Sequence, residues 1–185
     1  WIAARVVTEL QQCIARRLNA LQPVVISFGK IEGGKAFNVI ADRVRLLGTV
    51  RCLDLEQHRM LPDWIEQTVQ SICSSCGGSA QVTYRCIAPP VHNDPALTQL
   101  VERCAVSCLG RDQVRPVDLP SLGAEDFAEM LRDVPGTMMR LGVAKPEGCA
   151  PLHNGRFDPD ERALGVAVQV LTLTLLTWME QRTSA

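Results

Sequence analysis

GGKAFNVIADRVRLLGTVR, from Gly33 to Arg51, decides how the first half of the chain folds. Gly33-Gly34 breaks an extended run, Val24-Val25-Ile26-Ser27-Phe28. After the turn Val44, Leu46, Gly48 and Val50 alternate with Arg43, Arg45, Leu47, Thr49 and Arg51. A period of two marks a half-buried strand, so the stretch reads as a hairpin-like unit with Asn38 in its turn and Arg51 at its far end. Upstream, Ile2, Val6, Val7, Leu10, Ile14 and Leu18 recur at helical spacing until Pro23. Downstream, Asp54 with Gln57 three residues on forms a capping box. The helix it opens turns Met60, Trp64, Ile65, Val69 and Ile72 inward and stops at Gly77-Gly78. Gln81 to Ile87 reads as a further strand. One strand added in front of this order would complete βαββαβ, a ferredoxin-like two-layer domain. The chain opens Trp1-Ile2-Ala3-Ala4, without Met and already in a helical pattern, and so reads as a cut-out of a longer polypeptide that has lost that strand.

Ala88-Pro89-Pro90 reads as a linker, which divides the chain into 1–88 and 89–185. Beyond it Asp94 and Pro95 supply the cap and first position of a helix closed by Gly110. A short extended piece follows around Val114, then the loop Leu119 to Gly123. Glu125 to Leu131 reads as helix and Gly136 to Val143 as strand. The second dense motif is PLHNGRFDPDERAL, Pro151 to Leu164. It sets His153 on a loop and offers Asp158-Pro159-Asp160-Glu161 as cap, proline and capping-box acid for the last helix. The apolar part of that helix, Ala163 to Met179, is 17 residues with Gln169, Thr172, Thr174 and Thr177 among them. It is short and polar for a bilayer, so a buried core helix is expected and no membrane partner.

At 185 residues the chain is long enough to bury a real core, and 46% apolar with 21% charged residues is ordinary globular composition. A net charge of −1 leaves no electrostatic footprint for nucleic acid. Aromatics at 4% also remove the stacking face that an RNA-recognition domain of ferredoxin-like topology requires. Eight Cys include one C-x-x-C, Cys73 to Cys76, with no second pair to complete a zinc ribbon. Reduced, mostly buried thiols and a cytoplasmic location are expected. His58 lies on a capped helix and His92 in the linker; neither has a visible task.

The two dense motifs together resemble the di-zinc amidohydrolases, the family of hippurate hydrolases, indole-acetyl-amino-acid hydrolases and aminoacylases. The resemblance runs over nearly the whole chain. It implies a partial ferredoxin-like lid and dimerisation domain, followed by the C-terminal αβαβα part of a zinc-hydrolase catalytic domain. PLHNGRFDPDERAL matches the family motif ending in a metal-ligating His, which assigns His153 as a metal ligand; neutral imidazole suits zinc. Asn38 and Arg51 match lid residues that reach the substrate, often in a partner subunit. Their chemistry agrees, since an amide can donate to a scissile carbonyl and a guanidinium binds a carboxylate bidentately. Gly123-Ala124-Glu125-Asp126-Phe127 resembles a stretch near the catalytic centre, making Gly123 and Glu125 substrate-binding candidates. There the amides of Gly123 and Ala124 could hold an anion at a helix start, or Glu125 and Asp126 could simply favour the helix dipole. The sequence departs from the family at Ala41, where Pro is frequent, and at Ala124, where Gly or Ser is frequent.

The implied parent is a hydrolase of N-acyl amino acids or related amides, using two divalent ions, zinc first among them, and a homodimer formed through the lid. The general base and remaining ligands are expected upstream, so no catalytic residue is assigned here and the chain alone is expected to be inactive. A non-catalytic dimerisation module derived from such an enzyme is the alternative.

Overall fold

The structure is a computed structural model that describes residues 1–183. It divides into two compact units: Trp1–Val91 with Pro120–Glu129, and His92–Leu119 with the chain from Met130 onward. The first division falls close to the expected linker, but the segment 120–129 returns to the first unit, so one cut near 88 does not describe the chain.

In the first unit helix α1 (Ile2–Arg17) precedes strands β1 (Val24–Gly33) and β2 (Val44–Cys52), and helix α2 (Leu55–Ser75) follows. The strands pair antiparallel, with Val25 opposite Arg51 and Gly33 opposite Val44, and a register irregularity between Phe28 and Lys30. Gly33 is required at its position: a Cβ there would lie 2.7 Å from the Val44 side chain. Val6 and Leu10 of α1, Val24 and Ile26 of β1, and Leu61, Ile65, Val69, Ile72 and Cys73 of α2 form one core cluster. The helical stripe on α2 therefore runs through Leu61, fully buried, while Met60, expected inward, is 39% exposed. One residue of rotation on the helix moves a side chain by about 100°, which suffices to exchange their faces.

The caps are local chemistry, and most of them form. Asp54 accepts the Gln57 N–H at 2.8 Å. The expected reciprocal bond is replaced, because the Gln57 side chain donates to the Gln22 carbonyl at 3.1 Å. At the other end Gly77 adopts φ 71°, and Gly78 N–H reaches Cys73 O at 2.9 Å, a Schellman closure that only the left-handed glycine permits cheaply.

Gln81 to Ile87 does not join the sheet, which has two strands, β1 and β2. Its side chains nonetheless keep a strand's period: Ala80, Val82 and Tyr84 pack on the core cluster while Gln81, Thr83 and Arg85 are exposed. The hydrophobic pattern orients the chain, but a ladder needs a partner strand, and none lies beside it among the described residues. The two-layer ferredoxin-like arrangement is accordingly not complete here.

The second unit holds helix α3 (Pro95–Leu109), a single 3₁₀ turn at Arg111–Gln113, and the long helix α5 (Arg162–Thr183). Asp94 accepts the Leu97 N–H at 2.8 Å, Pro95 opens α3 and Gly110 closes it at φ 85°, all as the sequence predicts. The 136–143 strand does not form. That stretch is tied down singly instead: Asn93 exchanges two hydrogen bonds with the Met138 backbone, and Val143 O accepts Asp160 N–H at 2.8 Å. The expected αβαβα succession is thus reduced to helices and extended chain.

Helix α5 starts later than its signals suggest. Asp158 forms an ion pair with Lys145 instead of capping, and Asp160 takes the first helical N–H, from Arg162, at 3.0 Å. The Arg162 guanidinium closes on the same carboxylate, Nε–Oδ1 2.9 Å, and together these donors pull Asp160 down to about 2. A carboxylate depressed in the folded state stabilises it above its unfolded range and loses that contribution as pH falls from about 4 toward 2. Carboxyl NMR titration should give Asp160 a midpoint of about 2; a midpoint in the ordinary Asp range would mean the helix start is not held this way.

The expected burial of α5 does not hold either. Val170 is its only buried residue, and Leu164, Val168, Leu171, Leu175, Leu176 and Met179 are at least half exposed. The helix packs on α3, where Cys104 Sγ meets Thr177 Oγ at 3.8 Å. Thr174 and Thr177 turn their hydroxyls back to the carbonyls of Val170 and Leu173. By length and composition α5 is the one described helix that could cross a membrane.

Candidate metal and substrate site

Arg51 is the last but one residue of β2, exposed and opposite Val25. Its Nη1 donates to the Leu122 carbonyl at 2.6 Å. That bond brings together two stretches singled out separately, the end of the hairpin and the loop before Gly123. A guanidinium carries five N–H donors in a planar fork, so one bond to a carbonyl fixes its direction and leaves donors for a second, anionic partner. The sequence named both stretches; nothing in it named the Leu122 carbonyl as the link.

Gly123 and Glu125 behave differently from the anion-cradle reading. The Gly123 N–H donates to Ser121 Oγ at 3.0 Å inside its own loop. Glu125 folds back to accept the Phe127 N–H at 3.3 Å. The helix here, α4, is one turn, Phe127–Met130, so the amides of Gly123 and Ala124 do not stand at a helix start. Ser and Glu side chains close to the backbone compete for the donors that a longer helix would have left open. The dipole alternative, with Glu125 serving the local helix, fits this geometry better.

Asn38 lies in the turn joining β1 and β2, where Val39 N–H reaches Ala36 O at 3.3 Å. It is exposed, and among the described residues no hydrogen bond holds its amide. Phe37 and Ile40 beside it are also fully out in solvent, at 104% and 92% exposure. Turn chemistry alone accounts for an Asn here, but not for two large apolar side chains flanking it.

His153 belongs to the second unit and is exposed. It is the one non-glycine described residue with a positive φ, 65°. The surrounding loop imposes this through Asn154 N–H to Pro151 O, Phe157 N–H to Asn154 O at 2.9 Å, and Arg156 N–H to Asn154 Oδ1 at 2.9 Å. Left-handed backbone at a non-glycine residue costs about 1–3 kcal/mol and concentrates at functional positions. Among the described residues no group of three or more His, Cys, Asp or Glu could hold a metal ion. Among the described residues His153 therefore stands outside any ready-made set of three such ligands.

With that geometry established, the chain belongs to Peptidase family M20/M25/M40, whose family model matches residues 3–177. A Synechocystis protein described as a probable hydrolase is 46% identical over 180 residues, covering 96% of this chain and 45% of that protein. An N-acetyldiaminopimelate deacetylase of Geobacillus is 35% identical over 176 residues, covering 95% of this chain and 45% of that protein. Among solved structures, the YXEP protein of Bacillus subtilis, described as a dinuclear metal binding peptidase of the family, matches with a TM-score of 0.77 at 25% identity. That match covers 97% of this chain and 45% of the other. The chain thus spans about half the length of the relatives it matches, and the family resemblance carried by its two dense motifs is borne out.

Proposed function

We propose that these 185 residues are the C-terminal portion of a metal-dependent amidohydrolase that cleaves the amide bond of N-acyl amino acids. The observation that carries this reading is His153, held at φ 65° with its imidazole exposed in a loop that matches the family motif. The naming of relatives as deacetylases of an N-acetylated amino acid supports the substrate class. In the complete enzyme His153 ligates one of two divalent ions, zinc being the metal that imidazole suits best. When bound, such ions supply a hydroxide nucleophile at neutral pH and polarise the scissile carbonyl.

This chain's own contribution is recognition. Arg51, steered by the Leu122 carbonyl, binds the carboxylate of the acyl amino acid. Asn38 donates its amide to the carbonyl oxygen of the scissile bond. The exposed Phe37 and Ile40 suit a hairpin tip that is covered by a second subunit, in a homodimer formed through the first unit. The general base and the remaining metal ligands lie in the portion of the enzyme outside these residues.

A catalytic zinc needs three protein ligands, so His153 alone does not retain one. Purified by itself, loaded with zinc and dialysed, the chain should hold far less than one equivalent and hydrolyse no N-acyl amino acid. Tightly held stoichiometric zinc with turnover would overturn the proposal.

A further inference from the structure

The C-x-x-C of Cys73 and Cys76 plays no part in the proposed hydrolysis, yet the fold builds a distinct environment around it. Cys76 caps the end of α2 and is half-buried, whereas Cys73 lies one turn back inside the core, 4% exposed. From α1, Arg5 donates Nη1 to Cys76 Sγ at 2.7 Å while its Nε holds Glu9 at 2.6 Å. Ser75 Oγ approaches the same sulfur at 3.7 Å. A cationic donor on a partly exposed sulfur, next to a second thiol, is the setting of reactive rather than structural cysteines.

We propose that Cys76 and Cys73 form a redox-active dithiol that reacts with small-molecule disulfides of the glutathione type, with Cys76 the attacking thiol and Cys73 the resolving one. Burial pushes the Cys73 thiol up, and its electrostatic interaction with Cys76 pushes it the same way, which suits Cys73 to the second step rather than the first. In the first step the Cys76 sulfur bonds to one half of the small disulfide, whose S–S bond breaks and releases the other half as a thiolate. In the second, Cys73 gives up its proton and attacks the Cys76 sulfur, expelling the remaining half. The protein dithiol is oxidised by two electrons and the small disulfide is reduced to two thiols.

Residues three apart on a helix have Cβ atoms roughly 5–6 Å apart, and a disulfide needs about 4 Å. The closure falls where the helix already ends, at Cys76 with φ −105° and ψ 6° and the left-handed Gly77. The product ties up the sulfur that Arg5 Nη1 contacts, so oxidation also alters a contact between α1 and α2.

The test uses the whole chain, reduced and then exposed to glutathione disulfide, with tryptic mass spectrometry. Residues 60–85 form one tryptic peptide containing only these two cysteines. It should lose two hydrogens as an internal disulfide, while Cys73→Ser should trap glutathione on Cys76. Arg5→Ala should slow the first exchange about three- to tenfold, and Arg5→Lys, which keeps a positive donor, should recover most of it. Circular dichroism verifies that each variant is folded. A wild-type peptide with both thiols free, or with glutathione left on Cys76, would overturn the proposal. So would an Arg5→Ala variant that reacts at the wild-type rate.

Discussion

Leu61→Ala is expected to destabilise the first unit by about 2–5 kcal/mol, the cost of deleting a fully packed leucine and leaving a cavity. Leu61 has no exposed surface and sits among Val6, Leu10, Ile65 and the two strands' inward residues. Small domains hold only about 5–15 kcal/mol in total, so this change alone consumes a large part of the margin. Its neighbour Met60 is 39% exposed and gives a control within the same turn: Met60→Ala should change stability by no more than about 0.5 kcal/mol. Hydrogen exchange of the α2 amides reads the difference directly. Equal effects at the two positions would mean that the helix is rotated from the face described here.

Arg51→Ala in the complete enzyme carries the second large effect. Losing a charge-assisted pair to a substrate carboxylate costs on the order of 1.5–3 kcal/mol, which is roughly ten- to a hundredfold in kcat/KM. The loss should shrink for the matching amides, which present no charge to pair. The bond from Arg51 to the Leu122 carbonyl makes a purely structural role a concrete rival, because it too would be lost. That rival predicts equal losses on acids and amides. Near wild-type rates with both would leave Arg51 no part in binding.

What could be read from the sequence was chiefly what is local. Asp54, Asp94, Gly77 and Gly110 act within a turn of their helices, and the structure uses them as caps where the sequence placed them. The β1–β2 pairing was legible because both strands and their glycine turn are contiguous. Gln81–Ile87 and Gly136–Val143 were not legible as unpaired chain, since alternation reports which side chains are apolar and not whether a partner strand is present. The composition of α5 shows a demand for burial; it does not show what meets that demand. Its start was misplaced because Lys145, thirteen residues away, takes Asp158 out of the capping role.

The site divides in the same way. His153 and Asn38 were recognised through motifs, and their backbone settings, a left-handed residue and an exposed turn, are consistent with the tasks proposed for them. Gly123 was assigned from a motif plus an assumed helix start. The Ser121 hydroxyl takes the Gly123 N–H that the reading needs free, and the helix begins only at Phe127. Arg51 is legible through the same motif as Asn38, while the loop that aims it is visible only in three dimensions.

The central claim is that His153 is a metal ligand, and metal content tests it more directly than rate. Elemental analysis of the complete enzyme after exhaustive dialysis should find two divalent ions per chain. In His153→Ala one of them should be lost or held far more weakly, with hydrolysis of N-acyl amino acids abolished and the fold intact by circular dichroism. Two tightly held ions in His153→Ala, with wild-type turnover, would contradict the assignment.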